Sequence, residues 1–417
     1  MTPTIVPQLQ QARKAAISVR SLSDERRRDL IELLSRALEA SEEAILQANQ
    51  QDLDAMPDTD PKKDRLLLNA ERIAGLGESL RQIAGLPDPA GTVLLERELQ
   101  AGLNLQKITV PLGVVGVIYE SRPNVTADVA ALCLRSGNGC VLKGGKEAVH
   151  SNRAIVKVIH EVLAEFGVPA ETVTLLPTDR AHVQELLTAT RYVDILIPRG
   201  SESLIQYVRR NALVPTIETG AGVCHTYVTA SADVQKAAAI VVNAKVQRPS
   251  VCNALDTLVV DRATMDELLP LLTAPMAEHG VEIFADALSY PILHVLGYPH
   301  LQEASQEDFG REFLDFKCSV KVVSGMDEAL EHIETYSSRH SEAIVTEDEA
   351  EAERFLSEVD AAAVYVNAST RFTDGGEFGL GAEIGISTQK LHARGPFALE
   401  KLVTEKWVVR GNGHIRR

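Results

Sequence analysis

Five cysteines offer the first candidates for chemistry, and their local sequences separate them. Cys133 falls on the apolar face of a helical pattern, and three others, Cys140, Cys224 and Cys318, fall in strand-like runs. These positions predict that all four side chains are buried. Cys252, in VQRPSVCNAL, follows a helical pattern that Pro249 interrupts, and we expect a new helix to begin after it. Free backbone N–H groups at such a junction favour a thiolate and can hold an oxyanion. Cys252 is therefore the candidate nucleophile, although ordinary packing also explains a cysteine at this position.

Two segments have the composition of an anion-binding loop. In VLKGGKEAVHSN a strand pattern ends at Lys143 and Gly144, and a helix pattern follows Lys146, which gathers two cations and free N–H groups at one helix N-terminus. A similar transition in IPRGSESL contains Arg199, Gly200 and Ser201. A phosphorylated ribose would suit the first segment, but a tight turn with solvated lysines is an alternative interpretation. No glycine motif of the G-x-G-x-x-G type opens a helix, so the usual dinucleotide fingerprint is absent.

Composition excludes several classes of protein. A chain of 417 residues with 45% hydrophobic content predicts a globular enzyme of two or three packed units. The excess of 58 acidic over 42 basic residues, a net charge of -16, argues against nucleic acid or an anionic membrane as a partner. An odd number of cysteines without C-x-x-C spacing predicts neither a disulfide framework nor a metal site. With no signal-like or membrane-spanning segment, we expect a cytoplasmic location.

These residues need elements that position them, and hydrophobic periodicity predicts which ones. Helical spacing predicts amphipathic helices over 24–49 and 64–83. Residues 92–112 alternate polar and apolar positions around a turn signal at Gly102, which predicts a two-stranded ribbon. A short C-terminal strand around Trp407 has no sequence neighbour, and we expect it to pair with this ribbon in the same or another subunit.

Between these segments, short β-rich runs alternate with helical stretches. GVVGVIYE, CVLKGG, TVTLLP, YVDILIP and CHTYVTA form a first set, and ALDTLVV, KCSVKVV, SEAIVT and AAVYVNA form a second. Nearly continuous apolar strands separated by helices are typical of parallel sheets covered on both faces. The sequence therefore predicts an α/β protein with two Rossmann-like parallel-sheet domains.

The order and spacing of several motifs add a family resemblance. PLGVVGVIYESRPN, VLKGGKEA, IPRGSESL, the Cys252 segment and EFLDF together resemble the aldehyde dehydrogenase superfamily. Within it, YESRPNVT, GVCHTYV, HIETYSSRHSEAIVT and FTDGGEFGLGAEIGISTQKLHARGP closely resemble the family of glutamyl phosphate reductases, over essentially the entire chain.

This resemblance implies a reaction. Cys252 would attack the acyl carbon of L-glutamyl 5-phosphate and expel phosphate, leaving a thioester that NADPH reduces to L-glutamate 5-semialdehyde, a step of proline synthesis. The Asn124 amide and the Cys252 backbone N–H would stabilise the oxyanion. Candidates for the carboxylate and phosphate of the substrate are Arg122, Arg339, His340 and Ser341, each of which could instead be structural.

The same resemblance implies where NADPH binds. Lys143 and Lys146 would approach the adenosine ribose and its 2'-phosphate, with either lysine able to serve the phosphate. Gly200 and Ser201 would lie by the pyrophosphate, with Arg199 and Gly144 beside these groups. Glu312 would bind the nicotinamide ribose.

The resemblance also implies a domain arrangement. A cofactor domain would comprise 1–97 and 113–230 with a returning segment 367–390, a catalytic domain would cover 231–366, and a small β projection of 98–112 and 391–417 would form a homodimer or higher oligomer. A chain of this length has room for the reductase but shows no visible kinase module. A transient contact with the glutamate 5-kinase that would supply the labile acyl phosphate is a hypothesis.

Two other functions compete with this one. Glu218, in IETGAG, occupies the position where hydrolytic aldehyde dehydrogenases carry the glutamate that activates water, so a hydrolytic NAD(P)-dependent enzyme is the alternative. Because a reductase must keep water from its thioester, we expect Glu218 to be poorly placed or hydrogen-bonded. A catalytically silent nucleotide-binding protein is the third possibility, against which Asn124 and Cys252 argue.

Overall fold

The computed structural model describes residues 4–57, 60, 63–99 and 102–415. The chain divides into a first unit, Met1–Thr219 with Gly379–Gly385 and Leu391–Arg417, and a second unit, Gly220–Phe378 with Ile386–Lys390. The change of unit at residue 220 comes before the boundary predicted at 230. The predicted returning segment is shared between the two units.

The first unit contains nine described helices and eight described strands, numbered in chain order. The helices are α1 (Val6–Arg20), α2 (Asp24–Ala40), α3 (Glu42–Asp54), α4 (Lys63–Leu66), α5 (Ala70–Gly85), α6 (Asn124–Arg135), α7 (Val149–Glu165), α8 (Ala181–Leu187) and α9 (Glu202–Asn211). The strands are β1 (Val93–Leu99), β2 (Leu103–Pro111), β3 (Val114–Tyr119), β4 (Gly139–Gly144), β5 (Val173–Leu175), β6 (Ile195–Arg199), β15 (Gly395–Pro396) and β16 (Val403–Arg410). The helices predicted over 24–49 and 64–83 are confirmed, each as two helices.

A four-stranded parallel sheet in the order β5-β4-β3-β6 forms the centre of the first unit. Side chains of β3 alternate between its faces. Val115 and Val117 pack into the core that α2, α5, α6 and α7 cover, whereas Val114 and Ile118 pack into the core beneath α1, α8 and α9. Every residue of β3 and β4 is buried, because helices cover both faces of the sheet.

The predicted ribbon and the C-terminal strand form a separate three-stranded antiparallel sheet. β1 pairs with β2, and β2 pairs with β16 so that Lys107 lies opposite Trp407. The pairing of β16 with the ribbon is therefore confirmed within one chain.

The second unit contains the remaining elements. Its helices are α10 (Val234–Val246), α11 (Met265–Glu278), α12 (Ser289–Val295), α13 (Gln306–Phe309), α14 (Met326–Tyr336) and α15 (Glu349–Glu358). Its strands are β7 (Cys224–Val228), β8 (Leu255–Asp261), β9 (Glu282–Ala285), β10 (Leu301–Glu303), β11 (Lys317–Val323), β12 (Ser341–Val345), β13 (Ala363–Val366) and β14 (Ile386–Ser387).

Seven of these strands form a parallel sheet in the order β10-β9-β11-β8-β7-β12-β13. Leu258 and Val260 of β8 pack with α10 and α11 on one face, and Val259 packs with α14 and α15 on the other. β7 was predicted with the first set of strands, but it pairs with β8 and β12. In the part of the chain that the structure describes, no helix is long and apolar enough to cross a membrane.

Candidate active site

Cys252 lies in a turn between α10 and β8. The residues after it form turn and bend structure and then enter β8 at Leu255, so the helix predicted to follow Cys252 is absent and that prediction was wrong. Cys252 is half-buried, whereas the other four cysteines are buried, as predicted. Among the described residues, Cys252 is thus the one cysteine that is not fully buried.

The end of the segment before β7 and the first residue of β7 contact the backbone of the Cys252 turn. A Cβ atom added at Gly222 would overlap the carbonyl oxygen of Cys252, so only glycine allows the two backbones to approach this closely. Cys224 donates its S–H to the same carbonyl oxygen across 3.2 Å. Burial raises the pKa of the Cys224 thiol well above its usual value, so it keeps the proton that it donates.

Glu312 also contacts this segment. Its carboxylate accepts a hydrogen bond from the Gly222 backbone N–H, with 2.8 Å between the two atoms. The second unit therefore gathers Glu312, Gly222 and Cys252, two of which are predicted site residues.

Asn253 fixes the turn from its other side. Its buried side chain donates to the carbonyl oxygens of Arg371 and Thr373, at 3.2 and 2.9 Å, and its own carbonyl oxygen accepts from the Thr370 hydroxyl at 2.7 Å. The Asn253 side chain thus connects the Cys252 turn to the one-turn 3-10 helix Thr370–Phe372. Sequence reasoning missed Asn253, although its place beside a candidate nucleophile was a signal that it could have a positioning role.

Asn124 is the first residue of α6 and is exposed, with buried Pro123 before it. Its amide donates a hydrogen bond to the Asp128 carboxylate, with 3.1 Å between Nδ2 and Oδ2. Burial raises the pKa of Asp128 to about 7; the Asn124 bond and the charge of Arg199 oppose that rise, and Glu383 adds to it. Asp128 was not predicted, although its i, i+4 spacing from Asn124 on a helix signals a contact.

The loop after β4 places its two lysines differently. Lys143 is buried, and its ammonium group donates to the carbonyl oxygens of Gly144 and Thr178 at 3.3 and 3.2 Å. Burial lowers the pKa of Lys143, while Glu147 and Asp179 oppose the shift. Lys146 is exposed at the start of a 3-10 turn.

The loop after β6 has an acidic partner that the sequence did not suggest. Glu120 accepts a hydrogen bond from the Ser201 backbone N–H at 3.1 Å, and a Cβ atom at Gly200 would lie 2.8 Å from the same carboxylate. Arg199 ends β6 and lies within electrostatic range of Asp128. The N-terminus of α9 thus already binds one anionic group, a carboxylate of this chain.

Two arginines were predicted to bind the substrate. Arg122 is half-buried in the loop between β3 and α6, two residues before Asn124. Arg339 lies on the surface of the second unit and pairs with Glu334 at 3.1 Å and Asp360 at 3.4 Å. Its charge is therefore partly balanced by carboxylates of the protein.

His340 and Ser341 were also predicted to bind the substrate; Ser341 begins β12, and His340 directly precedes it. Both are fully buried, and the Ser341 hydroxyl lies 2.8 Å from His340 Nδ1 and 2.7 Å from the Thr373 hydroxyl. Because β12 lies inside the seven-stranded sheet, between β7 and β13, its first residues face the interior. In this structure both side chains bond to other buried groups of the second unit, and their role in binding the substrate stays a prediction.

Glu218 has a charged partner, in line with the expectation that it would be poorly placed or hydrogen-bonded. Its carboxylate pairs with Arg209 of α9, with 3.2 Å between Oε1 and Nε. This contact holds the carboxylate against α9.

The comparisons with known proteins agree with this fold. The model of the aldehyde dehydrogenase family matches residues 4–286, so the chain belongs to the aldehyde dehydrogenase family, whose members use a nicotinamide cofactor. An acetylating aldehyde dehydrogenase from Geobacillus thermoglucosidasius has the same fold at 17% identity, with a TM-score of 0.72 over 99% of this chain and 97% of that one.

Within that class, the relatives define a narrower family. The gamma-glutamyl phosphate reductases of Pelodictyon phaeoclathratiforme and Legionella pneumophila (strain Paris) are 52% and 51% identical to this chain, over 100% of each chain. A crystal structure of gamma-glutamyl phosphate reductase from Thermotoga maritima is 42% identical and covers 100% of both chains, with a TM-score of 0.93. The chain is a member of the gamma-glutamyl phosphate reductase family.

Proposed function

We propose that the protein catalyses the NADPH-dependent reduction of L-glutamyl 5-phosphate to L-glutamate 5-semialdehyde and phosphate, in proline synthesis, through a thioester on Cys252. The observation that carries this proposal is the half-buried position of Cys252 in its turn, in a chain whose other four cysteines are buried. Membership of the reductase family supports the choice of substrate.

In this mechanism Cys252 attacks the acyl carbon of the acyl phosphate. The carbon–sulfur bond forms, the carbon–oxygen bond to phosphate breaks, and phosphate leaves with the electron pair. When bound, NADPH supplies the hydride that reduces the thioester carbonyl. Cys252 then leaves as the thiolate when the tetrahedral intermediate collapses to the aldehyde.

The oxyanion of each tetrahedral intermediate needs a hydrogen-bond donor. The family resemblance assigns this role to the Asn124 amide and the Cys252 backbone N–H, and an amide that is already oriented by Asp128 suits it. We propose Arg122 as a further contact to the anionic groups of the substrate.

The cofactor residues of the first unit have the chemistry that a phosphorylated dinucleotide requires. The Ser201 backbone N–H, at the start of α9, donates to the Glu120 carboxylate, so Gly200 and Ser201 can bind the pyrophosphate when it displaces that carboxylate. Lys146 is exposed and suits the 2'-phosphate better than Lys143, which is buried and donates to carbonyl oxygens. In the second unit, Glu312 can accept from a ribose hydroxyl.

The hydrolytic alternative is less well supported. A hydrolytic enzyme needs a free base to activate water, whereas the Glu218 carboxylate pairs with Arg209. We therefore expect acyl transfer to phosphate rather than to water. A homodimer formed through the β1-β2-β16 sheet, a cytoplasmic location and a transient contact with glutamate 5-kinase remain parts of this proposal.

The test measures NADP reduction in the reverse direction, with glutamate 5-semialdehyde, in the presence and absence of inorganic phosphate. We expect reduction that depends on phosphate, and none in the Cys252→Ala variant. Cofactor binding by that variant, followed by fluorescence of NADPH, should be retained. Equal rates without phosphate would instead identify a hydrolytic enzyme.

A further inference from the structure

Arg371 is held against the turn that carries the nucleophile. It lies in the 3-10 turn Thr370–Phe372, and its guanidinium group donates through Nη1 to the side-chain oxygen of Asn253, the residue after Cys252. Its Nε donates to Gln247 at 2.9 Å, and its own carbonyl oxygen accepts from Asn253. These bonds fix the position of the guanidinium group beside Cys252.

The charges around Arg371 are unusual for a structural arginine. Burial is the largest effect that lowers its pKa, and the positive charge of Arg248 lowers it further, while Asp374, Cys252 and Glu377 oppose the shift. Arg248 belongs to the same connection as Cys252, between α10 and β8. The two guanidinium groups thus repel each other, and an anion bound beside them would lower that cost further than Asp374 and Glu377 already do.

The guanidinium group of Arg371 also has hydrogen-bond donors for such an anion. Arginine has five N–H donors in a planar fork. In Arg371, Nε and Nη1 each donate to a described residue, whereas the two N–H groups of Nη2 donate to none of the described residues. A planar fork matches a phosphate group by two parallel hydrogen bonds. Arg371 therefore has both the charge and the donors for a phosphate.

The position next to Cys252 decides which anion of the substrate this would be. In an acyl phosphate the phosphate is bonded to the acyl carbon that the thiolate attacks. The α-carboxylate of a glutamyl group is separated from that carbon by three carbon atoms. A cation fixed beside the nucleophile is thus closer to the phosphate.

Building on the proposed function, we propose that Arg371, assisted by Arg248, forms the subsite that binds the phosphate group of the acyl phosphate, and the inorganic phosphate of the reverse reaction, beside Cys252. As phosphate leaves, the guanidinium groups neutralise the charge that develops on it. Arg371 is then a specificity-determining residue that favours phosphate over water as the acyl acceptor.

A binding experiment that requires no turnover tests the subsite. The rate of alkylation by iodoacetamide reports on Cys252, because the other cysteines are buried. Inorganic phosphate should slow alkylation of the wild-type protein at constant ionic strength. For each protein the rate with phosphate is compared with its own rate without phosphate, and in Arg371→Gln the two rates should be equal. Protection that persists in Arg371→Gln, or protection by glutamate but not by phosphate, would overturn the assignment.

Kinetics of the reverse reaction provide the second readout. Arg371→Gln should raise the KM for phosphate by about tenfold or more, with a change of less than about twofold in the KM for semialdehyde. Exposed Arg248→Gln should show a smaller effect in the same direction, which guards against misfolding of the first variant. Arg354→Gln, on the surface of α15, is the matched control and should match the wild type.

The two experiments separate failure of the subsite from failure of the proposed function. If the wild-type protein reduces no NADP but phosphate still protects Cys252 through Arg371, the subsite stands and the proposed reaction does not. If phosphate-dependent reduction occurs and both variants keep the wild-type KM for phosphate, the reaction stands and the subsite is refuted.

Discussion

The Asn124 amide donates to the Asp128 carboxylate one turn along α6, with 3.1 Å between Nδ2 and Oδ2. An amide on an exposed first residue of a helix would otherwise rotate freely. Asp128 therefore selects one orientation of the side chain and leaves its second N–H for another acceptor. We infer that Asp128 is a positioning residue for the proposed oxyanion donor.

This role predicts a specific kinetic defect. In Asp128→Ala the amide loses its partner, and kcat should fall roughly tenfold, because a misoriented donor weakens stabilisation of the transition state. The KM for phosphate should hardly change, since other residues, Arg371 and Arg248, form the proposed phosphate subsite. Asp128→Asn, which keeps an acceptor oxygen, should recover part of the loss. A larger KM for phosphate with unchanged kcat would contradict the positioning role.

Asp128 also predicts a pH dependence of stability. Burial raises its pKa from 3.8 to about 7, so between these values the folded protein keeps a proton that the unfolded chain has released. The contribution of Asp128 to the free energy of unfolding is thus greatest below its ordinary pKa and is lost as the pH rises towards 7. Thermal unfolding should be measured for the wild type and for Asp128→Asn at a series of pH values. The stability of the variant relative to the wild type should rise as the pH increases from about 4 to about 7, and it should not change further above pH 7. Parallel curves would show that Asp128 does not titrate in this way.

Much of the fold follows from sequence patterns, because buried parallel strands are continuous apolar runs. GVVGVIYE becomes β3 and SEAIVT becomes β12 on this basis. By contrast, β9 and β10 are strands of four and three residues near the edge of the sheet, too short for a periodic signal. The sheet to which β7 belongs depends on long-range pairing that no local pattern records.

The site was less predictable than the fold. Cysteine burial follows from local context, but the turn at Cys252 does not, because it depends on the backbone approach of Gly222. His340 and Ser341 have the residue types of a binding site, yet the order of strands places them inside the sheet. Arg371 comes near Cys252 only through tertiary contacts with Asn253 and Gln247.

A buried, hydrogen-bonded pair of side chains predicts the largest effect on stability. Glu342 and His225 are both fully buried, with 3.0 Å between Oε2 and Nδ1, and Glu342 also accepts from the His225 backbone N–H and the Ser337 hydroxyl. Glu342→Ala would leave these donors unpaired in the interior, and should lower the free energy of unfolding by about 3–5 kcal/mol. Chemical denaturation measures this loss. Exposed Glu353→Ala is the control and should stay within about 0.5 kcal/mol of wild type.

The three-stranded sheet predicts the effect of a charge on assembly. Trp407 and Val409 lie on one face of β16 and are each 53% exposed, which is a large apolar area for a surface strand. If this sheet mediates dimerisation, Val409→Glu should convert dimers to monomers in analytical ultracentrifugation. Lys406→Glu changes a neighbouring residue on the opposite face and should leave the oligomeric state unchanged. Equal behaviour of the two variants would place the interface elsewhere.

Gly222 gives the sharpest test of how the nucleophile is positioned. A Cβ atom there would overlap the carbonyl oxygen of Cys252, so Gly222→Ala must displace the turn and disturb the bond from Cys224. Because small errors of position strongly reduce reactivity, we expect kcat to fall by about 100-fold while the protein remains folded by circular dichroism. Gly220→Ala is the matched control, since its Cβ atom would meet only the Thr388 hydroxyl at 3.1 Å, and it should retain most of the activity. Near-normal turnover in Gly222→Ala would mean that the turn can shift without consequence, and that Cys252 does not depend on this backbone contact.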